Sequence, residues 1–169
     1  MVSYGLGAGR LAIKLRVDIN SAKNTLDLFW RKFKKIKELL DTYVSDGIKA
    51  RCAVSLLDNR RRDLSNINFF VPKQRAHAMS LLKNHNFQSG NASVTKRALC
   101  NIQAGFFEYK EWKGKLLNVI HDEVISTHIS KYDDEVYKFV KDAMVAAGEY
   151  YIKSIPVVVD AVLDKHWIH

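Results

Sequence analysis

The strongest constraint on the fold is a pair of short apolar runs separated by only two polar residues. The first run is Leu116–Ile120, and the second begins at Glu123 and ends at Thr127, with His121 and Asp122 between them. Two residues are enough only for a tight turn, so the pattern predicts an antiparallel β-hairpin. The fold therefore includes antiparallel sheet, and a histidine and two acids lie at the tip of the hairpin.

Helical periodicity covers much of the remaining chain. Ser21 is predicted as the N-cap of a long helix, and Asp46-Gly47 as its stop. A break is expected near Ser89-Gly90 in a second long helical segment. The predicted helices are residues 4–16, Ala22–Ser45, Arg75–Phe106 and Asp133–Ile152.

Three further apolar runs predict β-strands. Ala53–Leu57 and Ile67–Val71 flank the turn residues Asp58-Asn59 and predict a second hairpin. Ile155–Val162 predicts a late strand. Helices and hairpins in this order favour an α+β fold, in which an antiparallel sheet packs against helices.

Charge is distributed unevenly along the chain. The net charge is +9, and residues 1–100 carry the basic excess, whereas residues 101–169 are mildly acidic. A basic region favours a polyanion such as nucleic acid, although a solvated basic surface gives the same composition. Cys52 and Cys100 lack the spacing of a zinc site. With no signal peptide and no run approaching the ~20 apolar residues of a membrane span, a cytoplasmic protein without a membrane partner is expected.

The acids at the hairpin tip suggest metal chemistry. A hairpin tip is a rigid place from which to present carboxylate oxygen to Mg²⁺, which requires few, well-fixed carboxylates and substrate phosphates. An ordinary solvated turn is the alternative, since Asp is a common turn residue.

The segment Ile120-His121-Asp122-Glu123-Val124 resembles motif C of family A DNA polymerases, the DNA polymerase I group. Four other segments resemble family motifs in the same order and together span the chain. They are Tyr4–Gly9, similar to the end of motif B; Leu56–Arg62, similar to a Thr-Leu-x-Gly-Arg-Arg hairpin; Asn84–Ala92, similar to an Asn-x-x-x-Gln helix; and Pro156–Trp167, similar to the closing strand. The ending Trp167-Ile168-His169 resembles bacteriophage members, which would act in a bacterial host cytoplasm.

The resemblance implies a division of the chain and a set of site residues. Residues 1–50 would be the end of the fingers and residues 51–169 the C-terminal part of the palm. In the family, two Mg²⁺ ions held by two aspartates activate the primer 3′-hydroxyl and the transferring phosphoryl group. The resemblance assigns Asp122 as a catalytic metal ligand and Glu123 as a second acid. It assigns DNA contacts to His121, Gln88, Asn84, Arg60, Arg61, Arg62, Arg75 and Tyr4, with primer-template DNA and dNTP as ligands.

The sequence also departs from the family pattern. The motif A aspartate and the fingers Arg and Lys would precede Met1, Ser80 occupies the position of an arginine, and Asn59 that of the hairpin glycine. Half of an active site is therefore expected, completed by an N-terminal polymerase chain that carries motif A. A split gene, or one interrupted by an intron or intein, would produce this chain. The alternatives are a non-catalytic DNA-binding remnant and an unrelated basic nucleic-acid-binding module.

Overall fold

The computed structural model describes residues 7–167 and has helices with two small antiparallel hairpins, as the predicted α+β class requires. The chain forms two compact units, one on each side of the bond between Gln88 and Ser89. The helices are α1 (Ala8–Leu15), α2 (Ile19–Lys32), α3 (Lys34–Ala50), α4 (Pro72–Glu108) and α5 (Asp133–Tyr151). The strands are β1 (Cys52–Val54), β2 (Arg61–Asp63), β3 (Lys115–Ile120) and β4 (Glu123–Thr127), and short 3₁₀ turns cover Lys110–Trp112 and Ser130–Tyr132.

Helix α2 begins three residues earlier than predicted. Asp18 is the N-cap, and its Oδ1 accepts hydrogen bonds from the backbone N–H groups of Asn20 at 2.9 Å and Ser21 at 3.0 Å. Ser21, predicted as the cap, lies inside the first turn and donates its hydroxyl to Asp18 Oδ2. These hydrogen bonds stabilise the ionised carboxylate and lower the pKa of Asp18. The hydrogen bond from the Ser21 hydroxyl has the largest effect on this pKa.

The single helix predicted over Ala22–Ser45 is two helices that meet at Phe33, whose φ of −109° and ψ of 46° are not helical. The predicted stop at Asp46-Gly47 is also wrong, because α3 continues to Ala50. Gly47 is buried, and an added Cβ would lie 2.0 Å from Leu82 Cδ2. The absence of a side chain at Gly47 therefore allows close packing on Leu82 and does not end the helix. Arg51, with φ 49°, is the C-cap of α3.

Strand β2 differs from its prediction. The register pairs Cys52 with Asp63 and Val54 with Arg61, so the arginine segment itself forms the second strand. Ile67–Val71 contains turns instead of the predicted strand. Arg51 holds this region, since its Nη2 donates to the carbonyls of Ser65 at 3.1 Å and Ile67 at 3.0 Å. Ile67 and Phe69 pack onto a core of Val44, Ala53, Leu64 and Leu82.

Helix α4 is continuous through the predicted break at Ser89-Gly90. Ser89 and Ser93 are buried on this helix, and the Ser93 hydroxyl donates to the carbonyl of Ser89 at 2.8 Å. This bond to the preceding turn satisfies the buried Ser93 hydroxyl within the helix.

The unit after Gln88 has its own core. Ile102 and Phe106 of α4 pack with Trp112, Val136 and Ala143. Gly105 lies against the ring of Phe139, where an added Cβ would be 2.0 Å from a ring carbon. Helix α5 confirms the predicted segment, and its first turn carries three acids, which the helix dipole favours.

Residues 155–162 have no strand pairing, so the predicted late strand is wrong for the part of the chain that the structure describes. The segment contacts α5 through side chains: Val157 packs on Gly148, and the Tyr137 hydroxyl donates to the carbonyl of Ala161 at 3.2 Å. A strand requires a hydrogen-bonded neighbour, which apolar composition alone does not supply. None of the helices within residues 7–167 has the length and apolarity needed to cross a membrane.

Candidate functional site

The hairpin of β3 and β4, here called the acidic hairpin, has the predicted two-residue turn. Ile120 pairs with Glu123 and Val119 with Val124, leaving His121 and Asp122 at the tip. His121 has φ 55°, in the left-handed region that non-glycine residues rarely adopt. Strained residues of this kind are held in place only when the surrounding structure determines them, and they cluster at functional sites.

The acidic hairpin is anchored through one face. Leu116 and Val124 pack onto the core of Ile102 and Phe106. Val119 pairs with Val124 and shares this face, whereas Leu117, at the bulge between Leu116 and Asn118, is 61% exposed. The hairpin is therefore fixed through one face, and its tip extends from a packed base.

The two acids at the tip differ in their surroundings. Asp122 is exposed, and within residues 7–167 its carboxylate makes no hydrogen bond or ion pair. Glu123 is partly buried, and its Oε1 accepts a hydrogen bond from Trp167 Nε1–H at 3.0 Å. An exposed carboxylate on a rigid turn is suited to binding a cation or donor from outside.

A magnesium site requires several oxygen ligands. The described residues contain no group of three or more His, Cys, Asp or Glu side chains able to hold a metal ion. Asp122, with Glu123 beside it, fits one part of such a ligand set.

The hairpin of β1 and β2, here called the arginine hairpin, carries the three predicted arginines in different roles. Arg60 forms an ion pair with Asp58 inside the turn. Arg61 and Arg62 are exposed on β2 and, as neighbours in a strand, point to opposite faces. Arg61 and Arg62 are thus presented to solvent on two different sides, whereas Arg60 is half-buried.

Asn59, which replaces the glycine of the family hairpin, has φ 55°. This backbone conformation explains why the position is glycine in the family hairpin and asparagine here. Glycine adopts positive φ freely, and asparagine tolerates it better than most side chains. The departure therefore preserves the turn.

The arginine hairpin docks on α4 beside the predicted Asn84. The Asn86 side-chain oxygen accepts a hydrogen bond from the Leu56 backbone N–H at 3.0 Å, and His85 Nε2 lies 3.3 Å from the carbonyl oxygen of Arg60. Asn84 Nδ2 donates to Ser80 Oγ at 3.4 Å, and Gln88 is exposed one turn later. The structure thus joins the arginines and the Asn84 region in one unit.

The remaining predicted residues have separate positions. Arg75 is exposed in the first turn of α4, where its backbone N–H donates to the carbonyl of Val71 at 2.9 Å. Tyr4 lies outside the described residues. The acidic hairpin belongs to the unit after Gln88, whereas the arginine hairpin, Arg75, Asn84 and Gln88 belong to the unit before Ser89.

Comparison with known proteins decides the family. The family model described as DNA polymerase family A matches residues 1–169. The chain belongs to DNA polymerase family A. It is 28% identical over 166 residues to DNA polymerase I of Lactococcus lactis, which covers 98% of this chain and 18% of that relative. Thermostable DNA polymerase I of Thermus thermophilus is 26% identical over 167 residues, covering 99% of this chain and 19% of the relative.

A solved structure shares the fold of this family A chain. It is described as the POL domain of Pol1 from M. smegmatis in complex with DNA primer-template and dNTP. The TM-score is 0.78 with 23% sequence identity, over 86% of this chain and 25% of that one. The chain spans roughly a fifth of the length of the two curated relatives, 18% and 19%.

Sequence reasoning missed several interactions of the family A chain. The Trp167–Glu123 hydrogen bond joins residues 44 positions apart, and no local pattern indicates it. His85 and Asn86 sit inside the resemblance to the Asn-x-x-x-Gln helix, yet they face the arginine hairpin. The sequence signal that could have indicated this contact is the pair of adjacent polar residues in the middle of a helix.

Proposed function

We propose that this chain forms the C-terminal part of a DNA-directed DNA polymerase active site, which catalyses template-directed nucleotidyl transfer in DNA replication. The observation that carries the proposal is Asp122, an exposed carboxylate on a two-residue turn whose hairpin packs on the core. Family membership supports it. Residues 1–50 would be the end of the fingers and residues 51–169 the C-terminal part of the palm.

The acidic hairpin would supply the catalytic residues. Asp122 would be a ligand of Mg²⁺, and Glu123 would be the second acid beside it. His121 would contact the primer terminus, and its left-handed backbone fixes the direction in which the tip points. Two Mg²⁺ ions, when bound, would favour ionisation of the primer 3′-hydroxyl and stabilise charge on the transferring phosphoryl group.

The other unit would contact DNA. Arg61 and Arg62 are exposed cations suited to phosphates. Asn84 and Gln88 share one face of α4, and amide side chains there would read minor-groove acceptors, which A·T and T·A pairs present alike. Contacts of this kind detect pair geometry without selecting sequence. Arg75 and Tyr4 would contribute further contacts, and the ligands would be primer-template DNA and dNTP, as in the M. smegmatis complex.

Completion of the site would require residues outside this sequence. The metal ligands carried by motif A, and the fingers Arg and Lys, would come from an N-terminal polymerase chain. The isolated chain would therefore have no nucleotidyl transfer activity, because one carboxylate cannot position two ions.

The test is primer extension after mixing this chain with a family A polymerase fragment that carries motif A and the fingers Arg and Lys. We expect Mg²⁺-dependent extension from the mixture and none from either part alone. Asp122→Asn should reduce the rate at least about a thousandfold, since it removes a metal ligand that acts in the transition state. Asp142→Asn, an exposed isosteric change on α5, is the matched control and should leave the rate unchanged.

Extension by the 169-residue chain alone would refute the requirement for outside residues. Equal rates for Asp122→Asn and Asp142→Asn would refute the role of Asp122. If the mixture binds DNA but never extends a primer, the chain is a non-catalytic DNA-binding remnant.

A further inference from the structure

The end of the described chain contacts the acidic hairpin. Trp167 Nε1–H donates to Glu123 Oε1 at 3.0 Å across 44 residues of sequence. Trp167 is 56% exposed, so burial of its ring does not by itself account for its position. A hydrogen bond to a charged acceptor is stronger than one between neutral groups, and it gives this interaction a definite geometry.

The segment that leads to Trp167 is fixed along its path. Val157 packs against Gly148 of α5, where an added Cβ would lie 2.6 Å from a valine methyl. The Tyr137 hydroxyl then donates to the carbonyl of Ala161 at 3.2 Å. Near the end, Asp164 Oδ1 accepts from the His166 backbone N–H at 3.0 Å. The segment that packs on α5 thus positions the indole of Trp167 next to Glu123.

The Trp167–Glu123 hydrogen bond acts on the more flexible of the two acids. Asp122 has a short side chain on the turn, whereas Glu123 has an additional methylene and more rotamers. A donor held from a second element restricts those rotamers. The Glu123 carboxylate is thereby held in one orientation next to Asp122.

We infer that Trp167 is a positioning residue, which orients the Glu123 carboxylate beside Asp122 through its indole N–H. This inference rests on the proposed polymerase function. The segment after α5 is then part of the catalytic apparatus, because it sets the geometry of the second acid without touching substrate itself.

A spectroscopic test on the complete 169-residue chain addresses the hydrogen bond without any reaction. The chain has three tryptophans, and Trp167→Phe identifies the indole N–H resonance of Trp167 by its disappearance. Glu123→Gln should shift that resonance and leave those of Trp30 and Trp112 in place. Asp142→Asn is the control and should shift none of the three. An unmoved Trp167 resonance in Glu123→Gln would overturn the inference.

A kinetic test uses the chain complemented by the motif A fragment. Trp167→Phe keeps a ring but removes the donor, and we expect kcat to fall about tenfold with little change in KM for dNTP, as for a loss of orientation. The same substitution in a Glu123→Gln background should have no further effect, because the acceptor is already altered. His166→Ala, next to the donor, is the control for a general disturbance of the tail.

The outcomes separate the two proposals. Extension by the unaltered mixture together with equal reductions from Trp167→Phe in both backgrounds would overturn the positioning role and leave the polymerase function intact. No extension by the unaltered mixture would refute the proposed function, and the positioning role with it, while the resonance shift would still show whether the hydrogen bond forms.

Discussion

The arginine hairpin and the acidic hairpin have similar backbones, but the aspartate in the turn of each has different hydrogen-bond and ion-pair partners. Each is a two-stranded antiparallel ladder with a positive φ of 55° in its turn, at Asn59 in one and His121 in the other. In the arginine hairpin, Asp58 accepts from Ser55 Oγ at 2.5 Å and pairs with Arg60. In the acidic hairpin, Asp122 makes no hydrogen bond or ion pair with residues 7–167.

This difference distinguishes an aspartate that builds a turn from one that is presented by a turn. Asp58 uses its acceptors within its own loop, which in turn docks on α4 through Asn86. Asp122 makes no use of its acceptors within residues 7–167, and its hairpin is held by Leu116 and Val124 below the tip. Similar turns can therefore differ in whether the aspartate is bonded within the turn or exposed to solvent.

The largest expected effect on stability separates the two aspartates directly. Asp58→Ala should lower the free energy of unfolding by about 1–3 kcal/mol, because it removes the acceptor of the buried Ser55 hydroxyl and one ion-pair partner of Arg60. Asp122→Ala should change it by less than about 0.5 kcal/mol, as for an exposed side chain without partners. Urea denaturation of both variants measures the difference. Equal reductions would mean that Asp122 also builds its turn.

A second experiment sharpens the roles within the arginine hairpin. Replacing Arg61 and Arg62 with Ala should reduce the slope of log K against log salt for duplex DNA binding by about 0.9 for each phosphate that is no longer neutralised. Because the two side chains point to opposite faces, one single variant should account for most of the change. Arg60→Ala should instead reduce stability, since Arg60 is paired with Asp58.

Gln88→Ala is the control for this experiment, since an amide releases no counterions and the slope should stay the same. If the double variant keeps the full slope, the arginine hairpin does not bind phosphates, and the basic residues of α1 to α3 become the candidates.

The smallest effect concerns the two turn residues with positive φ. His121→Gly should raise the free energy of unfolding by up to about 1 kcal/mol, because glycine adopts this conformation without steric cost. Asn59→Gly should raise it less, since asparagine already tolerates positive φ. Thermal denaturation of the two variants gives the comparison. A larger gain at Asn59 would contradict this expectation and show that the turn of the arginine hairpin is the more strained of the two.

Local signals predicted the elements whose determinants lie close in sequence. The acidic hairpin follows from two runs separated by two residues, and α5 from its periodicity and acidic first turn. The prediction was wrong at Gly47 and at Ile67–Val71, where contacts with residues distant in sequence determine the backbone conformation. Gly47 stays helical because it packs on Leu82, and the turns around Ile67 are held by Arg51.

The candidate site follows the same division. The place of Asp122 at a hairpin tip was predictable because the turn is local, and the structure confirms that location. The pairing of Arg60 with Asp58 was missed because three adjacent arginines look equivalent in sequence, although the ladder register gives each a different environment. The Trp167–Glu123 hydrogen bond depends on the path of a whole segment over α5, which sequence periodicity does not encode.

The 44-residue separation of Trp167 from Glu123 has a consequence during synthesis. At ordinary elongation rates of about 5–20 residues per second, the indole is made roughly 2–9 s after its acceptor. The core of Val44, Ala53, Leu64 and Leu82 is already translated by then, so the arginine hairpin can form on the ribosome. The acidic hairpin acquires its last hydrogen bond only afterwards, which makes orientation of Glu123 a late step of maturation.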